Sequence, residues 1–188
     1  MTERFGLILL TGPPGVGKTT LVRKICEDLR NKHKIVCHGF YTEEVRNPNS
    51  RERIGFDVVT LNEKRGHLAR SDNTKKIGPF VGKYQVYVKD FEELALPLLC
   101  SSTERDLLVI DEVGKMELKS RKFEMAVQNC IMKTFILATV PYELRQPLPL
   151  IDTLKNHPKA QIIVVTKENR NSLQDEIVNK ILQLIKNK

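Results

Sequence analysis

The feature that most constrains the fold of this chain is the segment TGPPGVGKTT at residues 11–20. It matches the pattern G-x-x-x-x-G-K-[ST] at residues 12–19, and it follows a short apolar run at residues 5–10. Apolar residues at helical spacing come directly after it, which predicts a strand, a glycine-rich turn and a helix in that order. Glycines let backbone N–H groups turn inward, and the positive end of the helix points at the same place. The segment therefore predicts a loop that holds a phosphate chain.

Each residue of this loop has a predicted part in binding a nucleotide. The Lys18 ammonium, near the start of the helix, is predicted to reach the β- and γ-phosphates and to take part in catalysis. The Thr19 hydroxyl is predicted to ligate Mg²⁺. The other loop residues predicted to bind the nucleotide are Gly12, Pro13, Pro14, Gly15, Val16, Gly17 and Thr20.

A carboxylate for the metal ion is predicted at the end of another buried strand. In LLVIDEVG, four apolar residues at positions 107–110 are followed by Asp111 and Glu112. A parallel strand next to the strand of the phosphate loop would place Asp111 beside the phosphates, where it can hold the Mg²⁺ shell. A carboxylate one residue further on can orient and deprotonate a water opposite the γ-phosphate, and this is the role predicted for Glu112.

The alternative to hydrolysis is transfer of the phosphate to a second substrate. Small kinases that share this loop usually have a pocket for a hydroxyl-bearing acceptor and an arginine-rich lid. Here the segment PYELRQP at residues 141–147 has one arginine, Arg145. The acidic pair and the lone arginine favour a hydrolase, with a nucleotide or nucleoside kinase as the alternative.

The order of the predicted elements defines the fold class. Apolar runs predict strands at residues 5–10, 35–41, 53–61, 84–88, 107–110, 135–139 and 162–165. Helical spacing predicts helices after the phosphate loop, near residues 90–99 and 123–131, and over residues 173–185. Strands that alternate with helices give an α/β fold, a mainly parallel sheet with helices on both faces, here with a β-hairpin insert. We predict the three-layer P-loop fold of the additional-strand (RecA-like) class, in one domain of residues 1–188.

Two segments carry more local expectations. Residues 62–80 are polar and rich in glycine and asparagine, and we predict an irregular excursion over the surface. The sequence DFEE at residues 90–93 resembles a capping box that opens a helix. Pro97 is expected to kink or shorten that helix.

Composition indicates a soluble globular protein. The 188 residues are 40% hydrophobic and 29% charged, and no apolar run approaches the ~20 residues that span a bilayer. The apolar run at residues 5–10 is too short for a signal peptide. We therefore expect a cytoplasmic protein, with the nucleus not excluded, and no membrane partner.

The four cysteines form no CxxC pair, and Cys26 and Cys130 fall on the apolar stripes of predicted helices, so we expect buried thiols. The four histidines are scattered, which argues against a structural zinc site.

The net charge of +8 lies mostly in the first half of the chain. Residues 1–90 carry 17 Lys and Arg against 10 Asp and Glu, and residues 91–188 carry 14 against 13. The charges are dispersed, so we expect a field that favours an anionic nucleotide and no nucleic-acid partner. We also expect a monomer. A nucleic-acid-stimulated ATPase and a non-enzymatic nucleotide switch remain as alternatives.

Three polar residues at strand ends are candidates for further contacts. Thr139 ends the apolar strand FILAT, where a polar residue of the additional-strand class senses the γ-phosphate or the attacking water. Asn169 and Arg170 follow the last strand at the open end of the sheet, where ligands collect. They are predicted to touch the base, with Arg170 stacking on its face. For all three, a purely structural role is the alternative.

Five segments resemble the cancer-related nucleoside-triphosphatase family, a group of small P-loop hydrolases also found in thermophilic microbes. In chain order they are TGPPGVGKTT, GFYTEEVR, RIGFDVVTL, VIDEVGKMEL and VTKENRN. The resemblance implies Mg²⁺-dependent hydrolysis of nucleoside triphosphates, ATP and GTP among them, to diphosphates with loose preference for the base. It also implies that Lys115, as a catalytic residue, neutralises γ-phosphate charge, that Glu117 orients it, and that residues 41–44 line the cleft.

Overall fold

The computed structural model describes residues 6–71, 77–100 and 106–186. The strands in these segments are β1 (Leu7–Thr11), β2 (Cys37–Arg46), β3 (Arg53–Thr60), β4 (Arg65–Arg70), β5 (Phe80–Val81), β6 (Tyr84–Val86), β7 (Leu107–Asp111), β8 (Phe135–Thr139) and β9 (Ala160–Val164). The helices are α1 (Lys18–His33), α2 (Val88–Cys100), α3 (Arg121–Cys130), α4 (Pro149–Lys155) and α5 (Leu173–Lys186). A short 3₁₀ helix, Glu117–Lys119, precedes α3.

The sheet is parallel over its central strands and one end, and antiparallel at the other end. Its order is β5-β6-β4-β3-β2-β7-β8-β1-β9. Strands β2, β7, β8, β1 and β9 run parallel, and β3, β4, β6 and β5 continue the sheet as antiparallel neighbours. Strand β8 lies between β1 and β7, so the expectation that the strand of Asp111 lies directly beside the strand of the loop is wrong. The predicted α/β fold of the additional-strand class, with its hairpin insert, is confirmed.

Alternate residues of the buried strands pack against helices on opposite faces of the sheet. In β1, Ile8 faces the layer that contains α1 and α5, and Leu9 faces the layer that contains α2, α3 and α4. The second layer has at its centre Phe40, Phe91 and Phe123, whose ring centroids lie 5.0–5.9 Å apart. Burial of apolar side chains on both faces holds the ends of the central strands at fixed positions.

The prediction for residues 62–80 is wrong, because this segment contains β4 and reaches β5; its residues 72–76 lie outside the described part. Strand β4 is antiparallel to β3, and its Leu68 and Ala69 are buried. The sequence RGHLAR has only these two apolar residues in succession, which neither alternate nor form a run. Residues 65–70 therefore form a strand because they pair with β3, and not because of their own hydrophobic pattern.

Two helices differ from the prediction. Helix α2 begins at Val88, two residues before the predicted capping box, and it runs through Pro97 to Cys100. Of residues 84–88, predicted as a strand, 84–86 form β6, Tyr87 belongs to neither element, and Val88 begins α2. Helix α4, which begins with Pro149 in its first turn, was not predicted because seven residues are too few for a clear helical period.

Of the four thiols, Cys26 and Cys130 are buried as predicted, Cys37 is also buried, and Cys100 is exposed. No helix in the described part of the chain has both the length and the apolar character needed to span a membrane.

The β2–β3 hairpin extends past the carboxyl end of the parallel strands. Tyr41 lies opposite Asp111, the last residue of β7, and β2 continues for five more residues to Arg46, which pairs with Arg53. At a rise of about 3.3 Å per residue, the far end of the hairpin lies roughly 16 Å beyond Asp111 along the strand. The hairpin forms a wall beside the edge of the sheet at which ligands bind in open α/β folds.

Candidate active site

The glycine-rich loop connects β1 to α1, as predicted. Gly12 has φ 151°, and a Cβ on it would lie 2.3 Å from the backbone oxygen of Val165. Gly17 has φ 105° and is the residue before α1. Larger residues would clash at the first position and be strained at the second, so the glycines allow the loop to fold over the N-terminus of α1. The first turn of α1 contains no acidic residue, which leaves its positive end available to an anion.

The Lys18 side chain folds back across the loop. Its Nζ donates to the backbone oxygens of Gly12 at 2.7 Å and Pro13 at 3.1 Å. The ammonium therefore lies over the concave side of the loop. Phosphate oxygens carry full charge and make stronger hydrogen bonds than these carbonyl oxygens, so the ammonium is positioned to exchange its partners for a bound anion.

Asp111 ends β7 and is 2% exposed. Its Oδ1 accepts a hydrogen bond from the hydroxyl of Thr139, the last residue of β8, whereas its buried Oδ2 has no hydrogen-bond partner among the described residues. Burial raises the pKa of Asp111, and the hydrogen bond from Thr139 opposes this shift. A buried oxygen without a partner costs free energy, so this carboxylate is suited to bind a cation.

Two further carboxylates pack against one glycine beside Asp111. A methyl group on Gly114 would come within 2.5 Å of Oε1 of Glu112 and within 2.9 Å of Oε2 of Glu117. The buried Glu117 accepts a hydrogen bond from the Gly114 N–H at 3.1 Å. Burial and the charge of Asp111 raise the pKa of Glu112 to about 7, and burial and the charge of Glu112 raise the pKa of Glu117 to about 8. A carboxyl group with a pKa near neutrality is suited to accept and release a proton.

The loop and two of these acids share one cleft of about 880 Å³. One wall comes from the loop and α1, the floor from the end of β7, and the opposite wall from the β2–β3 hairpin and the segment after β8. The lining residues are Gly12, Pro13, Pro14, Gly15, Gly17, Lys18, Thr19, Thr20, Thr42, Glu44, Arg53, Phe56, Asp111, Glu112, Pro141, Tyr142, Glu143 and Arg145.

The structure brings Lys18, Thr19, Asp111 and Glu112 together in this cleft, and the roles assigned to them from the sequence stay predictions. Lys115 is exposed on the turn after Glu112 and does not belong to the described lining of the cleft. Its part in catalysis stays a prediction.

The two residues predicted to contact the base lie beside the loop. Asn169 uses both ends of its amide in the turn after β9: Oδ1 accepts from the Thr166 N–H at 2.8 Å, and Nδ2 donates to the Val164 oxygen at 2.9 Å. Arg170 donates from Nη1 to the Val16 oxygen at 3.0 Å and lines a second pocket of about 490 Å³ next to the loop. Contact of either side chain with a base stays a prediction.

The far wall of the cleft includes two residues that the sequence did not indicate, Arg53 and Phe56. Residues 41–44 were expected to line the cleft, and Thr42 and Glu44 do so. The other two residues of this stretch, Tyr41 and Glu43, contact α1 instead. The guanidinium of Arg23, on α1, lies 5.0 Å from the centroid of the Tyr41 ring and pairs with Glu43 at 3.6 Å. Successive side chains of a strand point to opposite faces of the sheet. This alternation along GFYTEE could have shown which residues line the cleft and which contact α1.

The insertion of β8 between the strand of the loop and the strand of Asp111 places the molecule in the additional-strand class of P-loop proteins. Residues 7–178 match the family described as NTPase. The chain belongs to this family.

Its relatives carry names that agree with the fold. The chain is 46% identical over 181 residues to the cancer-related nucleoside-triphosphatase of Homo sapiens. The aligned region covers 91% of this chain and 94% of that protein. It is 41% identical over 175 residues to nucleoside-triphosphatase THEP1 of Thermotoga maritima, covering 92% of this chain and 93% of that protein. The solution structure of a human cancer-related nucleoside triphosphatase superimposes with a TM-score of 0.79 at 45% identity, over 94% of this chain and 97% of that one. The family resemblance predicted from five segments is confirmed.

Proposed function

We propose that the protein hydrolyses nucleoside 5'-triphosphates to diphosphate and phosphate, with Mg²⁺ as cofactor and broad tolerance of the base. The observation that carries this proposal is the position of Glu112. It lies in the cleft next to Asp111 and shares that cleft with Lys18. A carboxylate with a pKa of about 7 at this place is suited to take a proton from water.

The loop holds the triphosphate in this proposal. Backbone N–H groups of the loop, from its residues other than Pro13 and Pro14, surround the phosphates, and the N-terminus of α1 adds its positive end. The Lys18 ammonium leaves the carbonyl oxygens of Gly12 and Pro13 and binds phosphate oxygens. Lys115 adds positive charge as the nucleotide binds.

Thr19 and Asp111 are the residues that would hold Mg²⁺. The unpartnered Oδ2 of Asp111 and the Thr19 hydroxyl are oxygen donors, which Mg²⁺ prefers, and this ion usually takes few protein ligands beside phosphate and water. When bound, the ion neutralises charge that develops on the phosphate oxygens.

Glu112 orients a water and accepts its proton as the water oxygen attacks the γ-phosphorus. The bond to the β–γ bridging oxygen breaks, and the diphosphate leaves with that electron pair. Glu117, packed against the same Gly114, holds the Glu112 side chain in place. Thr139 orients Asp111.

Broad base tolerance follows from the kind of contact. Backbone N–H groups and the helix end read phosphates and are blind to the base. Arg170 lies beside the loop, where it donates to the Val16 oxygen, and a guanidinium stacks on any planar ring. We propose that the protein works as a monomer, since the loop, both acids and Lys18 come from one chain.

The test is release of inorganic phosphate from ATP, GTP, CTP and UTP with and without Mg²⁺. Wild type is expected to release phosphate from all four when Mg²⁺ is present, and Lys18→Ala is the control for contaminating activity. Release at the level of Lys18→Ala for every nucleotide would end the proposal. Glu112→Gln is expected to bind a fluorescent triphosphate with wild-type affinity and to lose turnover. Equal loss of affinity and turnover would contradict the water-activating role.

A further inference from the structure

The far wall of the cleft consists of side chains that no step of the proposed hydrolysis uses. They belong to the β2–β3 hairpin and to the segment after β8. The wall carries two guanidinium groups, two aromatic rings and two carboxylates, which come from Glu44, Arg53, Phe56, Tyr142, Glu143 and Arg145. These groups are therefore available to a part of a ligand that lies beyond the reacting phosphate.

Two pockets meet at the phosphate loop. The cleft of about 880 Å³ contains Lys18 and Glu112, and the second pocket, of about 490 Å³, contains Arg170; Gly17 and Thr20 line both of them. If the base of a bound nucleotide contacts Arg170, the base occupies the second pocket. The cleft then holds only the phosphates, the ion and one water, whose share of liquid volume is about 30 Å³. A cleft of this size is in the range of sites that hold a whole small molecule, so a triphosphate leaves much of it unused.

The Arg53 guanidinium is held in a fixed position on the far wall. Its Nη1 donates to Glu44 at 2.8 Å and its Nε donates to the Tyr84 hydroxyl at 3.1 Å. It lies 5.3 Å from the centroid of the Phe56 ring, which itself packs edge-to-face against the Tyr84 ring with centroids 5.4 Å apart. The Arg53 side chain is 44% exposed and lines the cleft. A guanidinium fixed by two hydrogen bonds can stack on a flat ring with little further loss of side-chain freedom.

The segment after β8 adds a second ring and a second cation to the same wall. Tyr142 is 46% exposed, and Arg145 is also exposed and lines the cleft. Aromatic rings and guanidinium planes stack on the flat faces of bases, and guanidinium groups also bind phosphate. The far wall is therefore suited to a planar ring that is joined to a phosphate.

The length of the far wall fits one nucleotide added to the γ-phosphate. Phe56 lies opposite Glu44, three residues past the position opposite Asp111, which is roughly 10 Å along the strand at about 3.3 Å per residue. In a dinucleoside tetraphosphate, about eight covalent bonds join the third phosphorus to the nitrogen of the second base, and at about 1.2 Å of reach per bond they span roughly 10 Å. The second base can therefore reach Phe56 and Arg53 while the third phosphorus lies beside Glu112.

We propose that the far wall binds the second nucleoside of a dinucleoside tetraphosphate, and that the site hydrolyses such compounds as well as triphosphates. This inference rests on the function proposed above and adds a class of substrate to the same site. The first base lies at Arg170, the first two phosphates lie on the loop, and the second base lies at Arg53 and Tyr142.

The reaction is the same as that of a triphosphate and consumes one water. The water oxygen attacks the third phosphorus, and Glu112 accepts its proton. The bond from the third phosphorus to the oxygen that bridges it to the second phosphate breaks, and the first nucleoside diphosphate leaves with that electron pair. The hydroxyl of the water stays on the third phosphorus, so the products are two nucleoside diphosphates.

The experiment uses diadenosine tetraphosphate with Mg²⁺, and chromatography separates the products. Wild type is expected to convert it to ADP alone, and Lys18→Ala, purified in the same way, reports contaminating hydrolases. The quantity compared between variants is kcat/KM for diadenosine tetraphosphate divided by kcat/KM for ATP, because a general loss of activity cancels in this ratio. Arg53→Ala is expected to lower the ratio by about 3- to 30-fold, the range for a lost contact between a guanidinium and a ring.

Two further variants complete the experiment. Tyr142→Ala is expected to lower the same ratio, and because Tyr142 is an exposed residue its replacement leaves the core intact. Arg51→Ala is the matched control and should keep the ratio of wild type. Arg51 is an exposed arginine in the connection between β2 and β3, outside the described lining of the cleft.

The outcomes separate this inference from the proposed function. Hydrolysis of ATP, with diadenosine tetraphosphate left at the level of Lys18→Ala, overturns this inference and leaves the proposed function intact. Hydrolysis of neither compound overturns both. Formation of AMP and ATP in place of ADP contradicts the position of the third phosphorus beside Glu112. Equal ratios for Arg53→Ala, Tyr142→Ala and Arg51→Ala contradict binding of the second nucleoside by the far wall.

Discussion

The Thr139 hydroxyl donates a hydrogen bond to Oδ1 of Asp111, and Oδ2 of the same carboxylate is buried without a partner among the described residues. The two residues end neighbouring parallel strands, β8 and β7. The hydroxyl fixes the rotation of the carboxylate and opposes the rise in its pKa that burial causes. Thr139 therefore orients Asp111 with Oδ2 unpartnered, which is the arrangement that the proposed Mg²⁺ site requires.

Replacement of Thr139 by valine tests this relationship, because valine keeps the shape and removes the hydroxyl. Without the hydrogen bond, burial raises the pKa of Asp111 further and the carboxylate can rotate. We expect the Mg²⁺ concentration for half-maximal phosphate release to rise by about 10- to 100-fold, the usual effect of losing a partner of a metal ligand. Titration of Mg²⁺ at a saturating triphosphate concentration measures it.

Thr134→Val is the control for this change. Thr134 is also buried and adjoins the other end of β8, where its hydroxyl donates to the Asp106 oxygen at 3.2 Å. Thr134→Val also removes a buried hydroxyl, as Thr139→Val does, but Thr134 does not contact Asp111. A similar rise in both variants would show that the effect arises from a weakened sheet and not from the carboxylate.

The phosphate loop and the acidic strand end could be predicted because both are local patterns. The loop requires glycines and Lys18 at fixed spacing between a strand and a helix, and Asp111 follows directly on four apolar residues. The partner of Asp111 could not be derived in this way. That Thr139 touches it depends on the insertion of β8 between β1 and β7, which is decided by the packing of whole strands and helices.

The two unpredicted residues of the far wall of the cleft, Arg53 and Phe56, were missed for a related reason. Arg53 and Phe56 face the cleft because of the register of the β2–β3 hairpin, in which Phe56 lies opposite Glu44. A slip of one residue would turn both side chains to the other face, and the hydrophobic pattern of RIGFDVVTL alone does not exclude that slip. Strand β4 has an even weaker pattern, and its arginines become informative only when they are seen to contact Asp57.

Glu117→Gln is expected to stabilise the protein at alkaline pH. Glu117 is buried, and its pKa is raised from 4.5 to about 8. Its ionisation therefore lowers the free energy of unfolding. This loss is absent below the pKa of the unfolded chain, grows as the pH rises from that pKa to the folded pKa of about 8, and is constant at higher pH. Glutamine removes the penalty, so the free energy of unfolding should increase by a few kcal/mol at pH 9, at about 1.4 kcal/mol per pKa unit, and little at pH 5.

Urea unfolding of wild type and Glu117→Gln at both pH values measures this difference. Glu93→Gln serves as control, since Glu93 is an exposed residue of α2 and should respond little at either pH. An equal gain for Glu117→Gln at pH 5 and pH 9 would contradict a buried acid with a raised pKa.

Gly114→Ala is expected to reduce turnover while nucleotide binding is retained. Its methyl group would lie 2.5 Å from Oε1 of Glu112 and 2.9 Å from Oε2 of Glu117, so at least one carboxylate must move. The three atoms nearest to that methyl group belong to Glu112 and Glu117, and none of them to the loop at residues 12–20. We expect phosphate release to fall by about 10- to 100-fold, as displacement of a positioned catalytic group does, with unchanged affinity for a fluorescent triphosphate. Unchanged turnover would show that the position of Glu112 is not critical.

Asp57→Asn is expected to destabilise the fold, and most strongly near neutral pH. Asp57 is 7% exposed on β3 and binds Arg65 at 2.8 Å as well as Arg70. Arg65 also contacts Glu43, which pairs with Arg23 of α1, so the network ties the hairpin to the helix that follows the phosphate loop. Arg65 is 49% exposed and keeps Glu43 as a partner, so the loss is smaller than for a fully buried ion pair, and hydrogen bonds to charged groups contribute about 1.5–3 kcal/mol.

The pH dependence of this loss has a defined sign. Burial acts to raise the pKa of Asp57, but the hydrogen bonds from Arg65 and Arg70 outweigh it, and the pKa lies below the ordinary value of 3.8. Its contribution to stability is therefore complete above 3.8 and disappears as the pH falls through the lower, folded pKa. The difference between wild type and Asp57→Asn in urea unfolding should be constant from pH 7 to pH 5 and should shrink below pH 4. Glu52→Gln, which breaks an exposed pair with Lys83, should change stability by less than about 1 kcal/mol throughout. A difference for Asp57→Asn that is as small as that of Glu52→Gln, or that grows on acidification, would show that the buried carboxylate does not hold the hairpin.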